Sequence, residues 1–153
     1  MDAGHDLDEV QSTFSITGAD QVTIAVGLTM HTNRGETLSI EPEQNEKSFW
    51  ESLWETYPGN KGQLGVGVVL APGTNFAGFA QSQNNAPPSR GLRPDKLILA
   101  TIKNGETLTY YTGAAWDQLG PVKSAAEWNA YLASWAARLR DPVKVSVVLD
   151  ETK

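Results

Sequence analysis

Residues 96–111 read KLILATIKNGETLTYY. On both sides of Asn104-Gly105, apolar or β-branched side chains alternate with polar ones, which is the period of a half-buried strand. Asn-Gly is typical of a two-residue hairpin turn, because both residues tolerate the positive φ angles that such a turn requires. The stretch therefore predicts two strands, Lys96–Ile102 and Glu106–Tyr111, joined as a hairpin.

The same alternation recurs in the N-terminal part of the chain. Residues 11–16 and 21–30 flank a turn-forming segment, and residues 36–40 alternate again after a second turn signal. These runs predict a hairpin that continues as a meander.

Two segments in the middle of the chain carry bulky apolar residues. Residues 48–57 fit a strand with a bend or one helical turn equally well. Residues 64–70 read LGVGVVL and predict a buried strand. Its glycines, Gly65 and Gly67, fall on one face, which suits the close approach of a bulky ring or another backbone. The polar residues 81–94 predict a surface loop.

One helix is predicted near the C-terminus. Ser124 and Glu127 have the spacing of a capping box, and Asp141-Pro142 ends the helical pattern. A broad apolar stripe follows the helical period over Trp128, Tyr131, Leu132, Trp135 and Leu139. Lys144–Leu149 alternates as a last strand. The predicted fold is a single mainly β (α+β) domain over residues 1–153, an antiparallel β-sandwich-like sheet packed with this amphipathic helix.

Composition excludes several classes of function. The 153 residues carry a formal net charge of -6 without a basic cluster, which disfavours nucleic acid as a partner. No stretch approaches the ~20 apolar residues of a membrane span. With no cysteine, two unpaired histidines and a Gly65-Val66-Gly67 that lies inside an apolar run, we expect neither a metal site nor a nucleotide or other cofactor.

Five tryptophans are the most informative feature. Trp128 and Trp135 lie on the helical stripe and are predicted to be core residues. The other three lie beside carboxylates or phenol hydroxyls, a mixture that suits the apolar face and hydroxyl belt of a sugar ring. The alternative is that these rings pack the sheet. The candidate saccharide-binding residues are Trp50, Trp54, Tyr110 and Trp116, with Arg34 as a source of positive charge.

Four side chains are weak candidates for catalysis. His31 follows a strand end and could act as an acid or base, or it is an ordinary surface side chain. Glu51 and Glu55 could form a glycosidase pair, which depends on a separation that only the fold fixes. Asp117 follows Trp116 and is the fourth candidate.

Residues 109–117 (TYYTGAAWD), the helix that starts at Ser124, and residues 138–145 (RLRDPVKV) together resemble the C-terminal half of a bacterial family of unknown function. The strands at residues 22–27 and 62–69 are similar in kind, so that the resemblance covers roughly residues 5 to 149. The family is found in polysaccharide-utilisation systems, often beside enzymes that degrade pectin and unsaturated uronides.

This resemblance implies a β-sandwich related to large carbohydrate-active sandwich folds, in a longer parent protein with a preceding β-rich half. It also implies a periplasmic or extracellular location, although the first residues lack the basic start and apolar run of a secretory signal. The implied partner is an acidic plant or algal oligo- or polysaccharide. A second β domain or a homodimer is expected to cover an exposed sheet edge. Three hypotheses remain open: a carbohydrate-associated domain, a hydrolase or lyase on oligosaccharides, and a structural or interaction domain.

Overall fold

A computed structural model describes residues 5–31, 38–59, 61–82 and 95–146. Within these ranges the chain forms eight strands and one helix. In order they are β1 (Leu7–Thr13), β2 (Gln21–Leu28), β3 (Ser39–Asn45), β4 (Trp50–Thr56), β5 (Gln63–Leu70), β6 (Phe76–Gln81), β7 (Lys96–Lys103), β8 (Thr107–Trp116) and α1 (Ala125–Arg140).

The strands form two antiparallel sheets. One has five strands in the order β1-β8-β5-β4-β3, and the other has three in the order β2-β7-β6. Buried residues of both sheets share one hydrophobic cluster, to which Leu53 and Leu108 contribute from the larger sheet and Ile98 and Ile102 from the smaller. The larger sheet packs its other face against α1, where Trp128 and Leu132 are fully buried. The molecule is thus a β-sandwich with a helix on its outer face, as predicted.

The two predicted hairpins are wrong in their pairing. The turn at Asn104-Gly105 forms, and Glu106 N–H donates to Lys103 O at 3.1 Å. However, β7 and β8 lie in different sheets, as do β1 and β2. Each connection is an arch that carries the chain from one sheet to the other, and β3 pairs with β4 instead of continuing a meander.

The two arches lie side by side. Gly105 N–H donates to Phe14 O, Phe14 N–H donates to Glu106 O, and Ile16 N–H donates to the Asn104 side-chain oxygen. With β1 paired to β8 and β2 to β7, the two segments form one antiparallel ribbon folded over the sandwich. Strand alternation fixes the face of each residue but not its partner strand, which is why the sequence predicted local pairing.

Of the remaining predicted elements, the helix is confirmed and the last strand is not. Residues 50–56, which the sequence left undecided, form a strand, and β6 was not predicted. The helix begins after Ser124, whose hydroxyl accepts from Glu127 N–H, and ends before Asp141 as expected. Residues 144–146 are exposed and not in a strand, so the predicted last strand is wrong there. Its residues 147–149 and residues 83–94 of the predicted loop lie outside the described residues.

Candidate functional site

The strand β4 separates its side chains into two functional sets. Trp50 and Trp54 belong to the cluster under α1, whereas Leu53 belongs to the cluster between the sheets. Because side chains alternate along a strand, Glu51, Glu55 and the following Tyr57 share the inter-sheet face with Leu53. Two carboxylates and a phenol therefore lie in a row on the inter-sheet face of β4 and the residue that follows it.

Burial removes two of the predicted sugar-stacking tryptophans from the surface. Trp50 and Trp54 retain 4% and 2% of their exposure. A Cβ on Gly65 would lie 2.8 Å from the Trp54 ring and 3.0 Å from Trp128, so the ring occupies the space that this glycine leaves. The glycine prediction is confirmed. These indoles belong to the hydrophobic core, where they form the apolar surface on which α1 packs.

Glu55 and His31 form the most ordered polar contact of the inter-sheet face. His31 Nδ1 lies 3.0 Å from Glu55 Oε2, and the backbone N–H of His31 donates to Oε1 at 2.8 Å. The Glu55 side chain is 0% exposed, while that of His31 is 48% exposed. A fully buried carboxylate thus holds a half-exposed imidazole at the end of β2.

Tyr57 is a third group on the same carboxylate. Its hydroxyl donates to Glu55 Oε2 at 3.3 Å. Partial burial raises the pKa of Tyr57, and the charge and hydrogen bond of Glu55 raise it further. The backbone N–H of His31 and the Tyr57 hydroxyl both donate to this carboxyl, which suits its ionised form, a group that only accepts. Nδ1–H of His31 is then the donor to Glu55, and Nε2 is the ring nitrogen left to exchange a proton.

Trp116 and Asp117 lie next to Tyr57. Leu64 pairs in register with both Glu55 and Trp116, so the three residues form a row across one face of the larger sheet. The rings of Tyr57 and Trp116 are 6.0 Å apart at their centroids. Asp117 Oδ1 accepts the backbone N–H of Gln63 at 2.7 Å. A cavity of about 350 Å³ opens beside them, and its lining comprises Thr56, Tyr57, Gly62, Gln63, Asp117 and Gln118.

Glu51 is separate from this cluster. It lies four residues before Glu55, a spacing of roughly 13 Å between Cα atoms along a strand. This exceeds the separations typical of either class of two-carboxylate glycosidase, and Leu53 lies between them on the same face. The proposed Glu51–Glu55 glycosidase pair is therefore not supported by the strand geometry. Burial raises the pKa of Glu51 from 4.5 to about 7, against the opposing charge of Lys96.

The remaining predicted binding residues do not join the cluster. Tyr110 packs against the core between the sheets, which leaves its ring only partly exposed. Arg34 lies outside the described residues. Among the residues that are described, no cluster of three or more His, Asp or Glu side chains could hold a metal ion, and no helix is long and apolar enough to cross a membrane.

Sequence reasoning did not single out two residues, Tyr57 and Lys96. Tyr57 could have been found, because a position two residues after a candidate carboxylate in a strand shares its face. Lys96 lies near Glu51 because β7 packs against β4, and no local sequence pattern predicts that packing.

The described site combines an oriented imidazole, a buried carboxylate and a phenol, all in a two-sheet β domain. Carboxylate–imidazole pairs of this kind position a general base or acid, because the carboxylate fixes the tautomer and stabilises the charged ring. Tyr57 connects this pair to the adjoining cavity, whose polar lining could hold a ligand. The fold and the cluster thus define a β-sandwich domain with one candidate proton-transfer site.

Residues 1–145 match the family described as "Domain of unknown function (DUF4861)". The chain belongs to this family. It is also 25% identical, over 149 residues, to a protein of Formosa agariphila (strain DSM 15362) named "Uncharacterized protein P7". The match covers 96% of this chain and 33% of that protein, so the chain spans about one third of the relative's length.

Proposed function

We propose that this domain belongs to a carbohydrate-active protein and supplies it with a proton-transfer site formed by His31, Glu55 and Tyr57. The observation that carries the proposal is the 0% exposed Glu55, which accepts two hydrogen bonds from a half-exposed histidine. Burying a carboxylate costs free energy, so the pairing of buried Glu55 with an exposed ring favours a role in orienting that ring.

His31 has the central role in this proposal. Its Nε2 takes or delivers a proton at the sugar, while Nδ1–H stays bonded to Glu55, which stabilises the imidazolium that forms. Glu55 is thus a positioning residue. Tyr57, bonded to the same carboxylate, stays protonated at neutral pH because its pKa is raised, and its oxygen can accept a hydrogen bond from a sugar hydroxyl.

The adjoining cavity supports a sugar as the ligand. The Tyr57 ring in its lining offers an apolar face, with the Trp116 ring 6.0 Å away between centroids, and Gln63, Asp117 and Gln118 offer amide and carboxylate groups for hydroxyls. We infer an acidic plant or algal saccharide from the family resemblance described for residues 109–117.

Local positive charge partly offsets the acidity of the domain. Lys61 is exposed in the turn beside Gly62, and the Lys123 ammonium donates to the backbone oxygen of Asp117. Both cations lie near the cavity, where they would favour a uronate carboxylate. The location of the parent protein in the periplasm or outside the cell remains part of the same proposal.

The test is turnover of defined oligosaccharides from pectin and alginate, followed by new reducing ends and by the ultraviolet absorbance of unsaturated products. The first readout alone indicates a hydrolase, and both together indicate a lyase. We expect His31→Ala and Glu55→Gln to lower kcat about 10²- to 10⁴-fold, the range for loss of a general acid or base. His5→Ala, at the other histidine, is the control. Equal rates in wild type and His31→Ala, or no turnover of any of the oligosaccharides, would refute the proposal.

A second candidate function, assembly through a sheet edge, is favoured by β2. This strand has eight residues without a charge or a proline, and among the described residues its only partner is β7. The other edges are protected: β6 is short and irregular near Gly78, β1 carries acidic residues, and β3 carries Glu41, Pro42 and Glu43. We propose that β2 pairs with a strand from a second β domain or a second copy.

A further inference from the structure

A second cavity lies near the N-terminal end of β4, whereas Glu55 and its partner His31 lie near the C-terminal end. Its volume is about 280 Å³, and its lining comprises Pro42, Glu43, Gln44, Glu51 and Lys96. The first three belong to β3, Glu51 to β4 and Lys96 to β7, so the cavity lies where the edge of the larger sheet meets the smaller sheet.

Glu51, which lines the cavity, has a buried carboxyl oxygen without a partner among the described residues. Glu51 is 1% exposed, and its Oε2 makes no hydrogen bond to any residue that the structure describes. Leaving a buried acceptor unsatisfied costs about 1–3 kcal/mol, and more for a charged group. Such a cost is retained in a folded protein where the group serves a ligand or a reaction.

The core does not need this glutamate. An alanine or valine would fit the alternation of β4 equally well and would avoid burying a carboxyl group between the sheets. Lys96 does not explain it either: its charge acts on Glu51, but desolvation is the larger effect and raises the Glu51 pKa. The pair is therefore not a simple stabilising ion pair.

The charges of the lining decide the class of ligand. Glu43 and, above its raised pKa of about 7, Glu51 provide two negative charges against the single ammonium of Lys96, so that a uronate carboxylate would meet net repulsion here. A hydroxyl group suits the site, because it can donate to Glu51 Oε2 and accept from Lys96 at once. Gln44 adds a further donor and acceptor, and the Pro42 ring adds an apolar surface.

We propose that this cavity is a subsite for a neutral sugar residue, held through hydroxyl groups by Glu51 and Lys96. The inference rests on the proposed function, since it assigns one residue of the same saccharide to each end of β4. With roughly 13 Å between the Cα atoms of Glu51 and Glu55, one sugar ring cannot contact both. The saccharide would then contain neutral as well as acidic residues, with the acidic residue at His31.

The test is a titration of the chain with methyl galactoside and methyl xyloside, and separately with galacturonate, followed by NMR at the side-chain amide of Gln44 and the ammonium of Lys96. We expect saturable shifts with a neutral glycoside and a Kd at least ten times weaker in Glu51→Gln, which keeps one uncharged acceptor oxygen in place of the two oxygens of the carboxylate. Glu41→Gln, an exposed glutamate on the neighbouring edge strand β3, is the matched control. Lys96→Met should weaken binding too, and thermal unfolding shows whether each variant is folded.

The outcomes separate this inference from the proposed function. If neither neutral glycoside shifts these signals, if galacturonate alone does so, or if folded Glu51→Gln binds as tightly as wild type, the subsite is refuted. If neutral glycosides bind there but His31→Ala leaves turnover unchanged, the subsite stands and the proton-transfer site fails.

Discussion

Glu51 and Glu55 have the same residue type, strand and face, yet they have different surroundings. Glu55 receives donors from His31 and Tyr57, which satisfy its ionised form. Glu51 has an oxygen without a described partner and a pKa raised to about 7. Lys96 of β7 acts on Glu51, whereas His31, which follows β2, and Tyr57 contact Glu55. We propose an orienting role for Glu55 and a ligand-facing role for Glu51.

The raised pKa of Glu51 predicts how stability depends on pH. Because its folded pKa is about 7 and its ordinary value is 4.5, the folded state binds the proton more tightly than the unfolded chain. The resulting stabilisation is complete below pH 4.5 and is lost as the pH rises to about 7, by about 3 kcal/mol.

Glu51→Gln removes this titration. We expect its free energy of unfolding, from urea denaturation between pH 4.5 and 8, to fall less with rising pH than that of wild type. The exposed Glu41→Gln should follow the wild-type curve. If wild type and Glu51→Gln give parallel curves across this range, the raised pKa is wrong.

At the residue scale, the sequence predicted the candidates better than their roles. His31, Glu55, Trp116 and Asp117 were all candidates, and each lies in or beside the cluster around Tyr57. Trp50 and Trp54 were predicted as binding residues but are buried under α1, because alternation along a strand does not reveal which sheet face the helix covers. Exposure depends on tertiary packing, which no local pattern contains.

Among the elements, the packing of α1 depends on a glycine, Gly67, in the strand β5 beneath it. A Cβ on Gly67 would lie 2.7 Å from Leu132 Cδ1 and 3.1 Å from Trp128 Cζ2. The helix therefore approaches β5 at the distance that this glycine allows. The sequence predicted the glycine face and the helical stripe, and the structure brings the two together.

Gly67→Ala should destabilise the domain by about 1–3 kcal/mol, because Leu132 is fully buried and has little room to move. Gly120→Ala is the matched control, since its Cβ would lie 3.9 Å from the backbone oxygen of Trp116, which is ordinary van der Waals contact. Thermal or urea unfolding measures both.

Leu132→Ala identifies the cause of the loss. If the clash with Leu132 is responsible, the double variant is less destabilised than the sum of the two single variants. Strict additivity, or a stable Gly67→Ala, would show that the helix does not depend on this glycine.

Across the whole molecule, strand pairing is the part that the sequence predicted least well. The turn at Asn104-Gly105 was located correctly, but its flanking strands pair with β1 and β2 instead of each other. A local hairpin and a pair of stacked arches place the same residues on the same faces. Only the long-range fit of the two sheets selects between them, whereas the fold class and the helix follow from local periodicity.

The uncharged edge of β2 predicts that the isolated chain associates with itself. In the isolated chain a second copy is the available partner, so we expect light scattering to show a mass that rises with concentration. Thr23→Lys with Ala25→Lys places charge on exposed positions of that strand and should keep the chain monomeric. Thr17→Lys, in the exposed turn before it, should not. A wild-type mass that stays monomeric at every concentration would contradict pairing between copies.

The central claim is that Glu55 holds His31 ready to transfer a proton to or from a saccharide. Its most direct measurement is the kcat of Glu55→Gln on an oligosaccharide that the wild type turns over, with Glu41→Gln as the control. We expect a loss of about 10²-fold or more in Glu55→Gln, because an uncharged amide does not stabilise the imidazolium as the carboxylate does, and no loss in the control. Wild-type turnover by folded Glu55→Gln would contradict it.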